Sequence, residues 1–480
     1  MAALTACIFL LFLTWSAAAH AQGFTGTSST LAAGGGSDAL AIGHLTGGTL
    51  NDIATANPGD TSVTLLAPNV HGVFSTQTLA PTGVAPQSIA VGDLNGDGVS
   101  DIAVANASDD TVTLFLSDGH LAKHTVTVVP VGTYPSSVAI GDLTNNGLND
   151  LAVTNAGDNT VTLLMNNGDG TFTSSTLSTG TDPKSVAIGD LGNGQQDLAI
   201  ANAGDNTVTV MMNDGTGSFT STTYPVGNFP NSVAIGDLNG DGVNDLAVTN
   251  GADNTVSLLV NNGDGTFQPQ TTMATGNDPV SVALGDLDNS GFDSIAVANR
   301  TDNTMTVFSA NDSGGGYTSA TFPTDAAPES VAIGDVSGDG KPDIATANAF
   351  GSDVTLLTST TPQVVRLTST SVSCTPPSVT LGTPTTCTAT VTDTSPGYGN
   401  TPTGKVTFTS SGHADDSFTG SPCTLAGTGS TASCQVTFTP GVVTGTRTVT
   451  AKYAGRAATY TGKPPAHQTS SGTTSVVVTS

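Results

Sequence analysis

Oxygen-bearing side chains recur at fixed spacing along this chain of 480 residues. Three segments carry the full pattern: Asp93-x-Asn95-x-Asp97-Gly98-x-x-Asp101, Asp237-x-Asn239-x-Asp241-Gly242-x-x-Asp245 and Asp335-x-Ser337-x-Asp339-Gly340-x-x-Asp343. Donors at positions 1, 3, 5 and 9 surround one point when a glycine at 6 permits a sharp turn. Position 7 adds a backbone carbonyl, from Val99, Val243 or Lys341. An all-oxygen set of this kind suits a hard cation, and carboxylates crowded into nine residues repel one another without one. Calcium is the expected ion. Magnesium prefers fewer protein oxygens and keeps its waters. The position-12 glutamate of a helix–loop–helix calcium site is missing, since Val104 and Val248 stand there. The alternative is a set of Asp/Asn/Gly-rich turns without metal.

The same loop degrades elsewhere. Asp142, Thr144, Asn146 and Asp150 keep two carboxylates and form a fourth candidate, so three to four ions are expected. Asp286 and Asp288 remain in another copy, but Ser294 replaces the closing Asp and Asp293 sits one place early. The copy from Asp190 to Asp197 is one residue short, and the copy with His44 and Gly48 lacks donors; neither is expected to bind. Such graded loss argues for structural staples over reaction centres.

The elements that position these loops form a repeat. The first loop position falls at His44, Asp93, Asp142, Asp190, Asp237, Asp286 and Asp335, in steps of 49, 49, 48, 47, 49 and 49 residues. Each copy reads as four short strands, in the fifth Ser232–Leu238, Asp245–Thr249, Thr255–Asn261 and Thr266–Met273, joined by Gly/Asn/Asp turns. Strand one is small and apolar and is expected to be the most buried. About 48 residues and four strands per repeat is the arithmetic of a β-propeller blade. The seventh copy stops after its third strand, while an orphan fourth strand, Phe24 to Leu31, opens the repeat region. A closed seven-bladed ring over 22–361, in which the orphan completes the last blade, accounts for both ends and removes an open edge.

The G-D-x-N-x-D-G-x-x-D loops and the N-N-G-D-G-T-F turns (Asn166 to Phe172, Asn261 to Phe267) resemble the FG-GAP/VCBS repeat family, found in integrin α-subunit heads and many exported bacterial proteins. The resemblance covers about 340 residues of sequence. It implies a propeller with calcium in its loops and an adhesion or binding role.

Residues 362–480 change character. Residues 1–361 carry 4 Lys+Arg against 35 acids, net −31, whereas 362–480 carry 6 against 3, net +3. Alternating strands from Val364 to Ser373, Thr385 to Thr392, Lys405 to Thr409, Ala432 to Phe438, Thr446 to Tyr453 and Thr474 to Thr479 read as a β-sandwich. The stretch around Cys374 and Cys387, and A-S-C-Q-V-T-F-T-P, resemble bacterial Ig-like domains. The all-β fold expected is thus a propeller followed by an Ig-like sandwich. Cys374, Cys387, Cys423 and Cys434 allow three pairings; Cys374–Cys387 and Cys423–Cys434 are favoured because each closes a short loop.

Cys7 to Trp15 is apolar but too short to span a bilayer, and Ala19-His20-Ala21 fits a signal-peptidase site. Residues 1–21 are therefore expected to be a signal peptide, on a protein that is secreted or held at the cell surface. No later stretch is long and apolar enough to span. With 10 Lys+Arg against 38 acids, of which only Glu329 is glutamate, nucleic acid is excluded as a partner. H-E-x-x-H, G-x-S-x-G and P-loop motifs are absent, and the histidines are scattered, so no enzyme is expected. A monomer is expected.

Loops one-to-two and three-to-four share a face with the cation loops. On the other face, loops four-to-one carry a regular proline and a variable neighbour: Pro86-Gln87, Pro135-Ser136, Pro183-Lys184, Pro230-Asn231, Pro279-Val280 and Pro328-Glu329. Rigid turns with variable tips suit recognition, so a protein or glycan ligand is expected opposite the calcium loops. Tyr134 and Phe229 add aromatic surface there, unless they pack between blades. A lectin is the alternative, with Tyr134, Phe229, Tyr224 and Tyr317 as stacking candidates, since the one Trp, Trp15, lies in the leader; an enzyme acting on polysaccharide is the less favoured one.

Overall fold

The computed structural model describes residues 23–480 except 49, 70, 80, 118–123, 311–315, 363–365, 396–401, 403–404, 412–414, 429 and 454–466. The expected signal peptide and the first residues of the strand expected from Val364 lie outside the described residues. The described chain is all-β. Seven four-stranded antiparallel sheets occupy the repeat region, and two five-stranded sheets follow.

Six of the seven sheets are built from consecutive strands, as in Pro135–Gly141, Asp150–Asn155, Thr160–Asn166 and Phe172–Ser178. The seventh joins both ends of the repeat region. Gly26–Ala32 pairs antiparallel with Asp353–Ser359, in register from Gly26↔Ser359 to Ala32↔Asp353. Phe24 lies ahead of that strand, buried edge-on against Phe322 at 5.8 Å.

The core is distributed. One apolar layer sits at each junction between neighbouring sheets, as where Leu191, Val208 and Val210 meet Leu246, Val248 and Leu259. The last junction is made the same way, by Leu40, Ile53 and Leu66 against Val336, Ala345 and Leu356. Strand ends along the axis approach closely enough to require glycine: a Cβ on Gly92 would stand 2.8 Å from Ile140 Cγ2, and one on Gly334 2.8 Å from Ile42 Cγ2. Equal spacing at an interior junction and at the last one describes a ring, so the repeat region is propeller-like.

The expectation that strand one is the most buried is overturned. Pro230–Gly236 is buried only at Pro230, Val233 and Gly236, whereas every residue of Asp245–Asn250 is buried. Strand one is a sheet edge at the axis, flanked in its sheet on one side only. Strand two is paired on both sides and covered on both faces. Strand four in the fifth copy is also shorter than expected, Thr271–Ala274.

The C-terminal sheets pack around Cys387, Val391, Phe408, Val436, Phe438, Val449 and Tyr453. Cys374 pairs with Cys387 and Cys423 with Cys434, with Cα separations of 4.0 and 5.9 Å. Arg366 is fully buried where this region meets the ring. It pairs with Asp393 at 2.5 Å, and its Nη1 lies 3.5 Å from the Asn289 carbonyl oxygen of the sixth loop.

Candidate functional site

The three intact loops fold alike because the same residues demand it. Gly96 and Gly98, Gly240 and Gly242, and Gly338 and Gly340 all have φ between 76° and 85°, a region glycine enters freely. The turn so formed aims backbone N–H groups at the first carboxylate. Asp93 Oδ1 accepts from Gly96 N at 2.7 Å and Oδ2 from Gly98 N at 2.9 Å. Asp237 and Asp335 accept the equivalent pairs at 2.6 and 2.8 Å, and at 2.7 and 2.9 Å. Asp97, Asp241 and Asp339 each accept from the N–H at position 7, on Val99, Val243 and Lys341, at 2.8–2.9 Å. Asn95 and Asn239 accept from the N–H of Asp97 and Asp241 at 2.9 Å.

The closing aspartate has a second employment. Asp101 is fully buried, and accepts from Leu94 N at 2.7 Å and from Ser117 N, at the end of strand three, at 2.6 Å. Asp150 does the same with Leu143 N and Asn166 N, and Asp245 with Leu238 N and Asn261 N. Asp343 bonds Val336 N and Ser359 N. Burial pushes the Asp101 carboxyl up to about 6, with Asp97 and Asp93 adding repulsion; Asp245 reaches about 7 by burial, with Asp241 and Asp237 adding. Burial also raises Asp150 (Asp142 contributing), Asp343, Asp237 and Asp335. The closing carboxylates thus sit where burial disfavours their charge.

The donor set fits a hard divalent cation: Asp, Asn and Ser oxygens and no sulfur or nitrogen ligand. Ser337, at position 3 of the seventh loop, donates its N–H to Asp343 Oδ2 at 2.8 Å and has its buried Oγ by the same carboxylate, and a third-position oxygen is where a cation would take a ligand. Among the described residues, no three Asp, Glu, His or Cys side chains converge to metal-holding distance. The carboxylates face their own backbone amides instead.

Position 9 also reads differently in the degraded copies. In the short fourth loop Asp197 keeps the clasp, to Leu191 N at 2.8 Å and Asn213 N at 2.7 Å. In the first copy Asp52, which the loop pattern did not single out, accepts from Leu45 N and Thr46 N at 3.0 and 2.8 Å. Its partner position on strand three is Pro68, which has no N–H to give. In the sixth copy Ser294 Oγ takes the clasp with Ala310 N at 3.2 Å. There Asp288, Asn289, Ser290 and Phe292 are buried.

The opposite face is built by backbone strain. The residue before each regular proline, Ala85, Tyr134, Asp182, Phe229, Asp278 and Ala327, has φ between 53° and 57°. Five of these tips are held by a side chain from the preceding two-to-three turn: Tyr134 N donates to Asp110 Oδ1 at 2.8 Å, and Phe229 N to Asn206 Oδ1 at 2.8 Å, with Asp182, Ala327 and Asp278 held by Asn159, Asn303 and Asn254. The tip rings are 44% and 45% exposed, so packing between blades is overturned for both. The reason is the left-handed backbone, which lifts the side chain off the sheet junction. Phe350 and Val84, 86% and 52% exposed, lie on the same face and gave no signal in the repeat pattern. Two stacking candidates are elsewhere: Tyr317 Oη donates to Leu238 O at 3.0 Å, and Tyr224 Oη to Gly265 O at 3.3 Å, both on the loop face.

A ring of repeated sheets with one Asp-rich loop face and one strained tip face defines a propeller-like repeat protein. The FG-GAP-like repeat matches residues 46–104, 93–153, 143–193, 191–248, 237–297 and 286–346, and the chain belongs to that family. No curated protein matches it. Among solved structures it is similar to BBS1N in complex with ARL6DN, at 12% identity and TM-score 0.51, over 70% of this chain and 96% of that one. It is also similar to a protein from Lactobacillus plantarum (18% identity, TM-score 0.48, 61% and 86% covered) and to a functionally unknown protein from Desulfotomaculum acetoxidans (11%, 0.45, 62% and 90%). These likenesses concern the fold alone. The repeat suggests a binding module, and no helix of the described residues is long and apolar enough to cross a membrane.

Proposed function

We propose that the chain is an exported binding or adhesion protein, a seven-bladed calcium-stabilised propeller with a C-terminal Ig-like module, whose tip face takes an extracellular ligand. The observation that carries this reading is the pairing of two faces on one ring. One gathers excess buried carboxylate in oxygen-only loops, and the other holds exposed rings on latched, strained tips. Strain concentrated at a variable surface is where recognition is expected.

Calcium would be held by Asp93, Asn95, Asp97, Asp101 and the Val99 carbonyl, by Asp237, Asn239, Asp241, Asp245 and the Val243 carbonyl, and by Asp335, Ser337, Asp339, Asp343 and the Lys341 carbonyl. Asp142, Asn146 and Asp150 form the weaker fourth set. Bound there, the ion supplies only charge neutralisation and rigidity. Paired cysteines and the leader-like N-terminus support export. A lectin role is the second reading, favoured by the exposed rings of Tyr134 and Phe229 and weakened by the engagement of Tyr224 and Tyr317 in the loop face.

The test is thermal unfolding in calcium, in magnesium and in EDTA. A ligand confined to the folded state stabilises it by mass action, about 1–2 kcal/mol per loop at millimolar calcium for an extracellular-grade site. Calcium should raise the propeller transition and magnesium should not. Equal melting in all three buffers would reduce the loops to turns. A glycan array and a panel of matrix proteins then separate lectin from adhesion.

A further inference from the structure

The outer edge of the second sheet differs from its repeats. Among the described residues its fourth strand, His124–Pro130, pairs with Thr111–Ser117 alone. In the register shared by the repeats, Val126 lies opposite Phe115 and Val128 opposite Thr113. The matching places elsewhere carry hydroxyls: Ser174 and Thr176, Ser221 and Thr223, Ser319 and Thr321. Val126 is 43% exposed and Val128 58%. Residues two apart share one face of a strand, so the two valines form a single apolar strip. The strand itself has no lysine, no acid and no internal proline, the usual guards of a sheet edge.

The neighbourhood says what fits. On the third sheet the equivalent pair, Ser174 and Thr176, borders a groove of about 290 Å³ shared with Thr162 and Pro130. On the second sheet the same two places are apolar. Asp109 and Asp110 stand at the Pro130 end, where Val131 N donates to the Asp110 carbonyl. A second copy would bring its own acidic ring, net −31 over residues 1–361, against this one. Charge therefore disfavours self-pairing and favours basic flanks on the incoming chain.

We propose that the strand His124–Pro130 is a docking edge for an extended segment of a partner protein, added as a fifth strand, with alternating apolar side chains that cover Val126 and Val128 and with Lys or Arg beside them. Main-chain hydrogen bonds would supply the affinity of such strand addition, and the valine strip its selectivity. The valine strip is separate from the cation loops, and only its Pro130 end adjoins the tip face, where Asp110 also latches Tyr134; loss of binding on replacing the valines therefore tests the edge and not the proposed tip-face ligand.

The probe is a fluorescent synthetic peptide of alternating threonine and valine with two lysines at each end, titrated by anisotropy into the full chain. Val126→Ser with Val128→Thr installs what the other sheets already carry, so melting should stay unchanged. The expected result is binding that weakens about tenfold in the double variant. It should also weaken when serine replaces the peptide's valines or when glutamate replaces its lysines. Equal binding to native chain and double variant overturns the proposal, as does indifference to the peptide's flanking charge. Sedimentation that finds a dimer of the native chain, lost in the double variant, overturns it too, because the occupant would then be a second copy.

Discussion

Asp197 accepts the backbone N–H of Asn213 at 2.7 Å, in a loop one residue too short for the full donor pattern. Asp150 holds Asn166 and Asp245 holds Asn261 in the same manner. The closing aspartate is thus a clasp between the first loop and the end of strand three, whether or not the loop has kept its other donors. Asp197→Ala should cost about 2–3 kcal/mol, since it leaves two buried N–H groups without partners. The loss should be the same in calcium and in EDTA. Chemical denaturation in both buffers checks this, and a loss seen only with calcium would reassign Asp197 as a ligand.

Asp241 is exposed and makes only a local turn bond. Asp241→Ala should therefore cost about 0.5 kcal/mol or less in EDTA. In millimolar calcium it should forfeit most of the fifth loop's share of the ion's stabilisation, about 1–2 kcal/mol. Paired melts of wild type and variant read the difference directly.

Asp38 is half-buried on the tip face beside Glu329, and burial pushes its carboxyl up to about 6. A carboxyl whose folded pKa exceeds its unfolded value contributes stability below the unfolded pKa and loses it as pH rises through the folded one. Asp38→Asn should fall less steeply than wild type from pH 5 to pH 8, the remaining slope coming from the raised carboxyls of Asp101 and Asp245, which both proteins share. At pH 8 the variant should be the more stable, by about 1 kcal/mol after allowance for solvent screening. Parallel curves for the two proteins would remove Asp38 from the account.

Tyr134 holds φ at 54° and is 44% exposed. Tyr134→Gly should stabilise the ring by about 1 kcal/mol through relief of the left-handed backbone. The same substitution should weaken any ligand captured by the tip face. A variant that melts higher and binds less separates recognition from folding, and unchanged binding would move the ligand off this tip.

Reduction should act on one region only. The Cys374–Cys387 and Cys423–Cys434 links span 13 and 11 residues of chain. Loops of that size are worth about 3 kcal/mol each in the chain-entropy picture. Calorimetry with and without reductant should therefore lower the transition of residues 362–480 and leave the repeat region alone. A shift in both would mean that the two regions unfold as one.

Much of the architecture was legible because it is written seven times. Constant steps between Asp93 and Asp335, and the orphan strand near Leu31, state the repeat length and the pairing of its ends without any knowledge of packing. Burial order was not legible. Ser232 to Leu238 and Asp245 to Thr249 are equally apolar, and composition alone does not say which lies at an axis and which between two partners. Position 9 has a second role that the loop pattern does not show: Asp101 also accepts the N–H of Ser117, sixteen residues away, a bond no local spacing announces. Val126 and Val128 look like ordinary strand residues until the register sets them beside Ser174 and Thr176.

The ladder from Gly26↔Ser359 to Ala32↔Asp353 has a mechanical consequence. Its two strands run antiparallel, so the chain leading into Gly26 and the chain leaving Ser359 emerge at the same end of one sheet. Tension applied through those two exits would open that ladder rung by rung from Gly26↔Ser359, as a zipper, with the remaining sheets as an unloaded pendant. Such geometry yields at low force, and a single-molecule pull should record an early, gentle release before any other sheet gives way. A high-force first event would mean that the load reaches the ring by another route.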